Sequence, residues 1–362
     1  MINYEDKIVP GQSNKERLRS VVIERANQEN QTEENLTRAA NDLYIAPFST
    51  KEKIEAFFKN DKVAYKLLIS ELSSNNKTED FFEIMNHISK QALFSDFINY
   101  EKKNYYDFFI SKTEFNESFV LDDKTFKDLM QFISKICYDG HGKGEILLNL
   151  FFDNTVLHPY TDLYVDGKRV EIKCSFGKTN GGMLKGNKQI NHPKIILETI
   201  KDCLKNDIDI SILDECTTSG IKGFNNIVNI LLAAEVDDKL IIDAVSTGVF
   251  SQFFEMKNFN QYMMFVNRIK FNHDTLGEQL YRLHGVCAMI NYKLTCKWDY
   301  FVCLDAESGK YFIIDIPKVD DIDDISWKDY KAIYDNEEII FRAGPSTTAK
   351  DERGYVSTIY CV

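Results

Sequence analysis

Three residues stand out by type and spacing: Asp162, Glu171 and Lys173, within the stretch TDLYVDGKRVEIKCS at 161–175. Asp166-Gly167 is a two-residue turn signal between alternating strands, so the stretch reads as a β-hairpin. In that register Val165 faces Lys168, Tyr164 faces Arg169, Leu163 faces Val170 and Asp162 faces Glu171. Like charges directly opposite one another are destabilising. At about 5 Å the repulsion is roughly 0.8 kcal/mol in water and roughly 3 kcal/mol at an effective dielectric of 20. A cation between the carboxylates removes that cost. Two carboxylates suit a hard divalent ion, and a lysine on the same face can orient or deprotonate a water.

The elements that must position these groups follow from periodicity. Side chains alternate along strands, so Leu163, Val165, Val170 and Ile172 form one apolar face, expected to be core. Asp162, Tyr164, Arg169, Glu171 and Lys173 form the other. Upstream, 122–152 reads as helix, glycine break (Gly140, Gly142, Gly144) and helix, with Glu145 in the opening turn of the second helix. Downstream, 176–186 reads as a glycine-rich loop, 187–270 as mainly helical, and 275–294 as a long helix. A second hairpin is expected over 299–317 around Glu307-Ser308-Gly309, then an acidic linker or short helix, then strand-like runs EEIIFRA and GYVSTIYCV. Residues 1–120 have helical apolar spacing and no catalytic pattern.

Charge is uneven. Between Lys168 and Lys205 nine basic residues stand against three acidic ones, a local +6 in a chain of net charge −12. Such a segment suits contact with a polyanion, whereas the overall charge argues against non-specific coating of nucleic acid.

Together, Asp162 after Pro159-Tyr160-Thr161, then Glu171-Ile172-Lys173 on the next strand, with Glu145 on the helix before, resemble the PD-(D/E)XK nuclease superfamily. Here the proline stands three residues before the aspartate rather than beside it. The resemblance covers about 142–175 closely and 275–316 loosely. It implies an α/β, restriction-endonuclease-like mixed sheet flanked by helices, in the order helix, three strands, helix, strand. It divides the chain into a helical N-terminal region (1–120), a nuclease core (121–316) with a helical insertion at about 187–270, and a C-terminal extension with short strands (317–362).

It further implies a Mg²⁺-dependent endonuclease acting on DNA, in restriction, repair, recombination or phage DNA processing, with Mn²⁺ as a substitute ion. Asp162, Glu171 and the Ile172 carbonyl would hold the metal, Lys173 would act on the water, and Glu145 would complete the site. Lys143, Lys178, Lys185 and Lys188 are candidate phosphate contacts, and Gln279 on the later helix is a candidate extra polar residue. A homodimer would suit double-strand cutting. The alternatives are a non-catalytic structural or DNA-binding protein that keeps the fold, and an RNA nuclease of the same superfamily.

The bulk numbers bound this reading. Hydrophobic content of 44% and charged content of 28% describe a globular protein with no membrane-length apolar run. The first residues lack a secretory apolar stretch, so a cytoplasmic location is expected. Eight cysteines without CxxC or zinc-finger spacing read as reduced thiols. Other signals fail. GKT at 177–179 would need a glycine where Ile172 stands, and GHGKG at 140–144 does not follow a strand. His141 and His158 are lone histidines, and the aspartates at 320–324 lack calcium-loop spacing.

Overall fold

The computed structural model describes residues 91–112, 142–152, 155–157, 162–165, 167–175, 182–184, 194–316, 319, 321–337, 339–345 and 355–361. The fold is mixed α/β. Among these residues the chain divides into two compact units: those up to 175 with Trp298–Ile313, and those of 182–297 with those from Ile314 onward.

The first unit is built on a five-stranded sheet in the order β1-β2-β3-β5-β6. Its strands are β1 (Thr155–Leu157), β2 (Leu163–Val165), β3 (Lys168–Ser175), β5 (Tyr300–Asp305) and β6 (Tyr311–Asp315). The turn between β2 and β3 holds Gly167 at φ +77°, a conformation that suits glycine. The register is the expected one: Leu163↔Val170, Tyr164↔Arg169 and Val165↔Lys168. β3 then pairs in parallel with β5, from Val170↔Tyr300 to Ser175↔Asp305. The β5–β6 hairpin turns where Asp305 accepts from the Ser308 amide at 3.1 Å.

Among the described residues three helices serve this sheet: α1 (Phe94–Asn99), α2 (Tyr105–Ile110) and α3 (Lys143–Phe151). The described part of the N-terminal region is core. Phe94, Phe97, Phe108 and Phe109 pack with Phe151 and Phe152, and the apolar face Leu163, Val165, Val170 and Ile172 is buried with them. Phe97 stacks on Tyr311 at 4.1 Å between ring centroids. The Tyr311 hydroxyl donates to the Phe97 carbonyl at 2.6 Å.

The second unit holds β4 (Gly182–Leu184), α4 (Lys194–Leu204), α5 (Gly220–Ala233), α6 (Asp238–Phe253), α7 (Phe259–Val266), α8 (Leu276–Cys296), α9 (Trp327–Tyr334), β7 (Ile339–Pro345) and β8 (Tyr355–Cys361). Its sheet runs β4-β8-β7, all antiparallel. Gly182–Leu184 therefore forms a strand inside the stretch expected to be loop, because Ser357–Ile359 supplies its hydrogen-bond partners. The long helix expected over 275–294 is α8, and it is grouped with this unit. Arg282 on α8 donates to the carbonyls of Tyr334, Asn336 and Ile339, which ties the helix to the end of α9 and the start of β7. The described cysteines 174, 203, 216, 287, 296 and 303 carry free thiols.

His284 on α8 is 2% exposed and its Nε2 lies 3.0 Å from Gln252 Oε1 on α6. Burial pushes its imidazole down to about 4 from an ordinary 6.5. As pH falls from 6.5 towards 4 the unfolded chain takes up this proton and the folded chain does not, so stability falls over that window. The loss is roughly 2 kcal/mol by pH 5. Urea unfolding at pH 7 and pH 5 checks this: His284→Gln is expected to lose less stability between the two pH values than the parent. An equal loss in both would refute the assignment.

Candidate active site

β2 begins at Leu163, and Asp162 lies in a bend just before the strand. The ladder therefore stops at Leu163↔Val170, and the expected direct pairing of Asp162 with Glu171 is not formed. The aspartate carboxylate turns towards the partner strand instead. Its Oδ2 accepts from the Ile172 amide at 2.8 Å. A buried N–H without an acceptor is costly, so the carboxylate does what the next β2 carbonyl would have done.

Glu171 and Lys173 share one face of β3 by strand alternation. The Lys173 ammonium donates to Glu171 Oε1, lies 3.3 Å from the Ile172 carbonyl oxygen and 3.6 Å from Asp162 Oδ2. Residue exposure is 6% at Asp162 and 4% at Glu171. The polar face of the hairpin is thus a nearly enclosed ionic cluster rather than a solvated surface. Lys173 offsets the repulsion that the two carboxylates would otherwise feel.

Glu145 stands in the first turn of α3, where a carboxylate suits the helix dipole, and is 7% exposed. Its helix packs on the apolar face of β3, opposite the face that carries Glu171 and Lys173. The approach is very close at Gly144. A Cβ there would lie 2.7 Å from Ile172 Cγ2 and 3.2 Å from both Cys174 Cβ and Leu304 Cδ1. Gly144→Ala is therefore expected to cost about 1–3 kcal/mol through overpacking. It would also lift the Glu145-bearing turn from the strand that holds Ile172. Thermal melting checks the first effect; a melting temperature equal to the parent's would mean that the helix has room to shift.

Of the other expected site residues, Gln279 lies in the second unit. There its Oε1 accepts from the Asn272 amide at 2.7 Å and its Nε2 donates to the Lys270 carbonyl at 3.4 Å. Lys143 opens α3. Lys178, Lys185 and Lys188 lie outside the described residues, as do His141, His158 and the segment Pro159-Tyr160-Thr161.

One structural residue escaped the sequence reading. Asp299 Oδ2 accepts from the Arg169 amide at 2.9 Å, and the Asp299 amide donates to the Arg169 carbonyl at 2.8 Å. This two-way clamp fixes the parallel start of β3 beside β5. An acid just before an apolar strand was the available signal. Burial lowers the pKa of the half-buried Arg169 guanidinium, and the Asp299 charge opposes that shift.

Among the described residues no group of three or more His, Cys, Asp or Glu gathers as a metal cage. The donors that do converge are two carboxylates and the Ile172 carbonyl, all oxygen. Mg²⁺ needs only one or two carboxylates, and takes its other ligands from water and phosphate. The residues present fit such an ion. Among the described residues no helix is long and apolar enough to cross a membrane. No protein-family model, curated protein or solved structure matches the chain.

Proposed function

We propose that this chain is a Mg²⁺-dependent endonuclease with a restriction-endonuclease-like core, hydrolysing phosphodiester bonds in DNA. One observation carries the reading: Asp162, Glu171 and the Ile172 carbonyl meet around a single cationic group, Lys173 Nζ. The run of α3, β1, β2 and β3, with β5 added in parallel beside β3, supports it.

In this reading Asp162, Glu171 and the Ile172 carbonyl would hold Mg²⁺, or Mn²⁺ in its place. When bound, the ion supplies a Lewis acid for the phosphoryl oxygen and lowers the pKa of a water. Lys173 would orient the attacking water as a charged hydrogen-bond donor and aim it at phosphorus. Attack would form a new P–O bond as the bond to the leaving sugar oxygen breaks; the water gives up its proton to solvent, and the leaving oxygen takes one from solvent. Glu145, on the helix packed against the other face of β3, is given no part in this step. Lys178, Lys185 and Lys188 of the basic segment would contact the backbone phosphates, as would Lys143 at the start of α3.

The test is supercoiled plasmid with Mg²⁺ or Mn²⁺, run beside Asp162→Ala and Lys173→Ala, with labelled RNA as a parallel substrate. Nicking by the parent and not by the variants is the expected result. An intact, folded parent that cleaves no DNA sinks the proposal, and cleavage of RNA alone moves it to the RNA nucleases.

A further inference from the structure

The ammonium of Lys173 donates to Glu171 Oε1 and to the Ile172 carbonyl, and forms an ion pair with Asp162 Oδ2 at 3.6 Å. These are the same three groups that the proposed function assigns to the metal. One cationic centre therefore stands inside the ligand set meant for another. We infer that Lys173 is a built-in counter-ion for this oxygen cluster, and that a divalent cation enters by displacing the lysine from it.

The inference rests on the metal-dependent reading above, and the physical reason is electrostatic. Asp162 and Glu171 are nearly enclosed, so two bare carboxylates would repel strongly there. Lys173 lets the cluster fold without metal. Its stem belongs to the strand that bears Glu171, so it competes at high effective concentration. Ammonium and divalent ion cannot both occupy one seat, so each weakens the binding of the other. The lysine thus has two positions with two duties. In the first it closes the carboxylate pair. In the second, once released, it stands beside the cluster with its donors free for a water. Cation entry would be the step that arms it.

The experiment titrates Mg²⁺ and Ca²⁺ alone, without nucleic acid, into the parent, Lys173→Met, Lys173→Arg and Asp162→Asn, by calorimetry and thermal melting. Lys173→Met keeps the stem and removes the charge. It is expected to bind either ion at least tenfold more tightly than the parent, and to regain on adding the ion the stability it lacks without it. Lys173→Arg is expected to bind no more tightly than the parent, and Asp162→Asn to bind at least tenfold more weakly. Binding to Lys173→Met that is equal to or weaker than binding to the parent overturns the inference.

Should Lys173→Met fail to fold, the parent itself gives the answer. Released from the cluster, Lys173 is expected to be acylated several-fold faster in Mg²⁺ than in chelator, read by peptide mass spectrometry. A slower or unchanged rate overturns the inference. Plasmid cleavage is scored separately. Competitive ion binding without cleavage removes the nuclease reading and leaves the counter-ion in place, whereas cleavage with no competition does the reverse.

Discussion

Asp162→Asn is expected to fold as the parent does and to nick plasmid at least a hundredfold more slowly, while Asp162→Ala loses stability as well. The two substitutions separate two duties of one carboxylate. As an acceptor, Oδ2 satisfies the Ile172 amide in a buried strand. Asparagine can keep that bond through its own carbonyl oxygen; alanine cannot, and leaves a buried donor unpaired. Leaving a buried donor without its acceptor costs about 1–3 kcal/mol. As a charge, the carboxylate faces Lys173 at 3.6 Å, and under the proposed function it also holds the metal. Asparagine removes that charge and leaves Glu171 and Lys173 as a balanced pair, so stability is spared and chemistry is not. Loss of a group that positions the water or its activator is worth about 10²–10⁴ in rate. Urea unfolding and plasmid nicking on both variants check the pair. Equal unfolding midpoints for Asn and Ala would show that the bond to Ile172 is dispensable, and nicking by Asn at the parent rate would remove the catalytic role.

Phe97→Ala is expected to destabilise the first unit by about 3–5 kcal/mol, the range for a fully buried aromatic truncated to a methyl. Phe97 is 0% exposed. It stacks on Tyr311 and meets Phe108 and Phe152 edge to face, at 5.2 and 5.4 Å between centroids. Aromatic contacts of this kind add to the area buried. The Tyr311 hydroxyl also holds the Phe97 carbonyl, so α1 is tied to β6 by backbone and side chain together. Native domains hold only about 5–15 kcal/mol in reserve, so the variant would sit close to unfolding. Denaturant titration measures the loss. A change below about 1 kcal/mol would mean that α1 lies outside the cooperative core.

Much of the site was legible in the sequence because it is local. Asp166-Gly167 set the turn, the turn set the register, and alternation assigned the apolar face correctly at Leu163, Val165, Val170 and Ile172. Three features were not legible, each because its cause is remote. Alternation does not say where a ladder stops, so Asp162 was expected opposite Glu171 rather than turned to the Ile172 amide. The glycine-rich composition of 176–186 signalled a loop, and only a strand at Ser357–Ile359 makes Gly182–Leu184 another strand. Helix α8 is buried on most of its circumference, with Leu283, Val286, Cys287, Met289 and Ile290 all fully covered. A helix that is apolar on several faces does not announce which neighbour it serves. The polar cluster showed the opposite problem. Its members were visible, but that Lys173 would reach all three oxygens is a matter of side-chain geometry on a finished sheet.

The parallel pairing of β3 with β5 has a consequence for the order in which this protein is made. The hairpin partner β2 is reached through a two-residue turn, and such pairs form in microseconds. The other partner is Tyr300–Asp305, and residues 176–299 intervene. Closing that loop instead of the hairpin costs roughly 3–4 kcal/mol more in chain entropy. On the ribosome, Asp162, Glu171 and Lys173 are therefore synthesised and paired early. Their strand gains its second neighbour only after the whole intervening segment has emerged. A chain arrested before residue 300 would carry Glu171 and Lys173 of the ionic cluster on a strand with one bare edge.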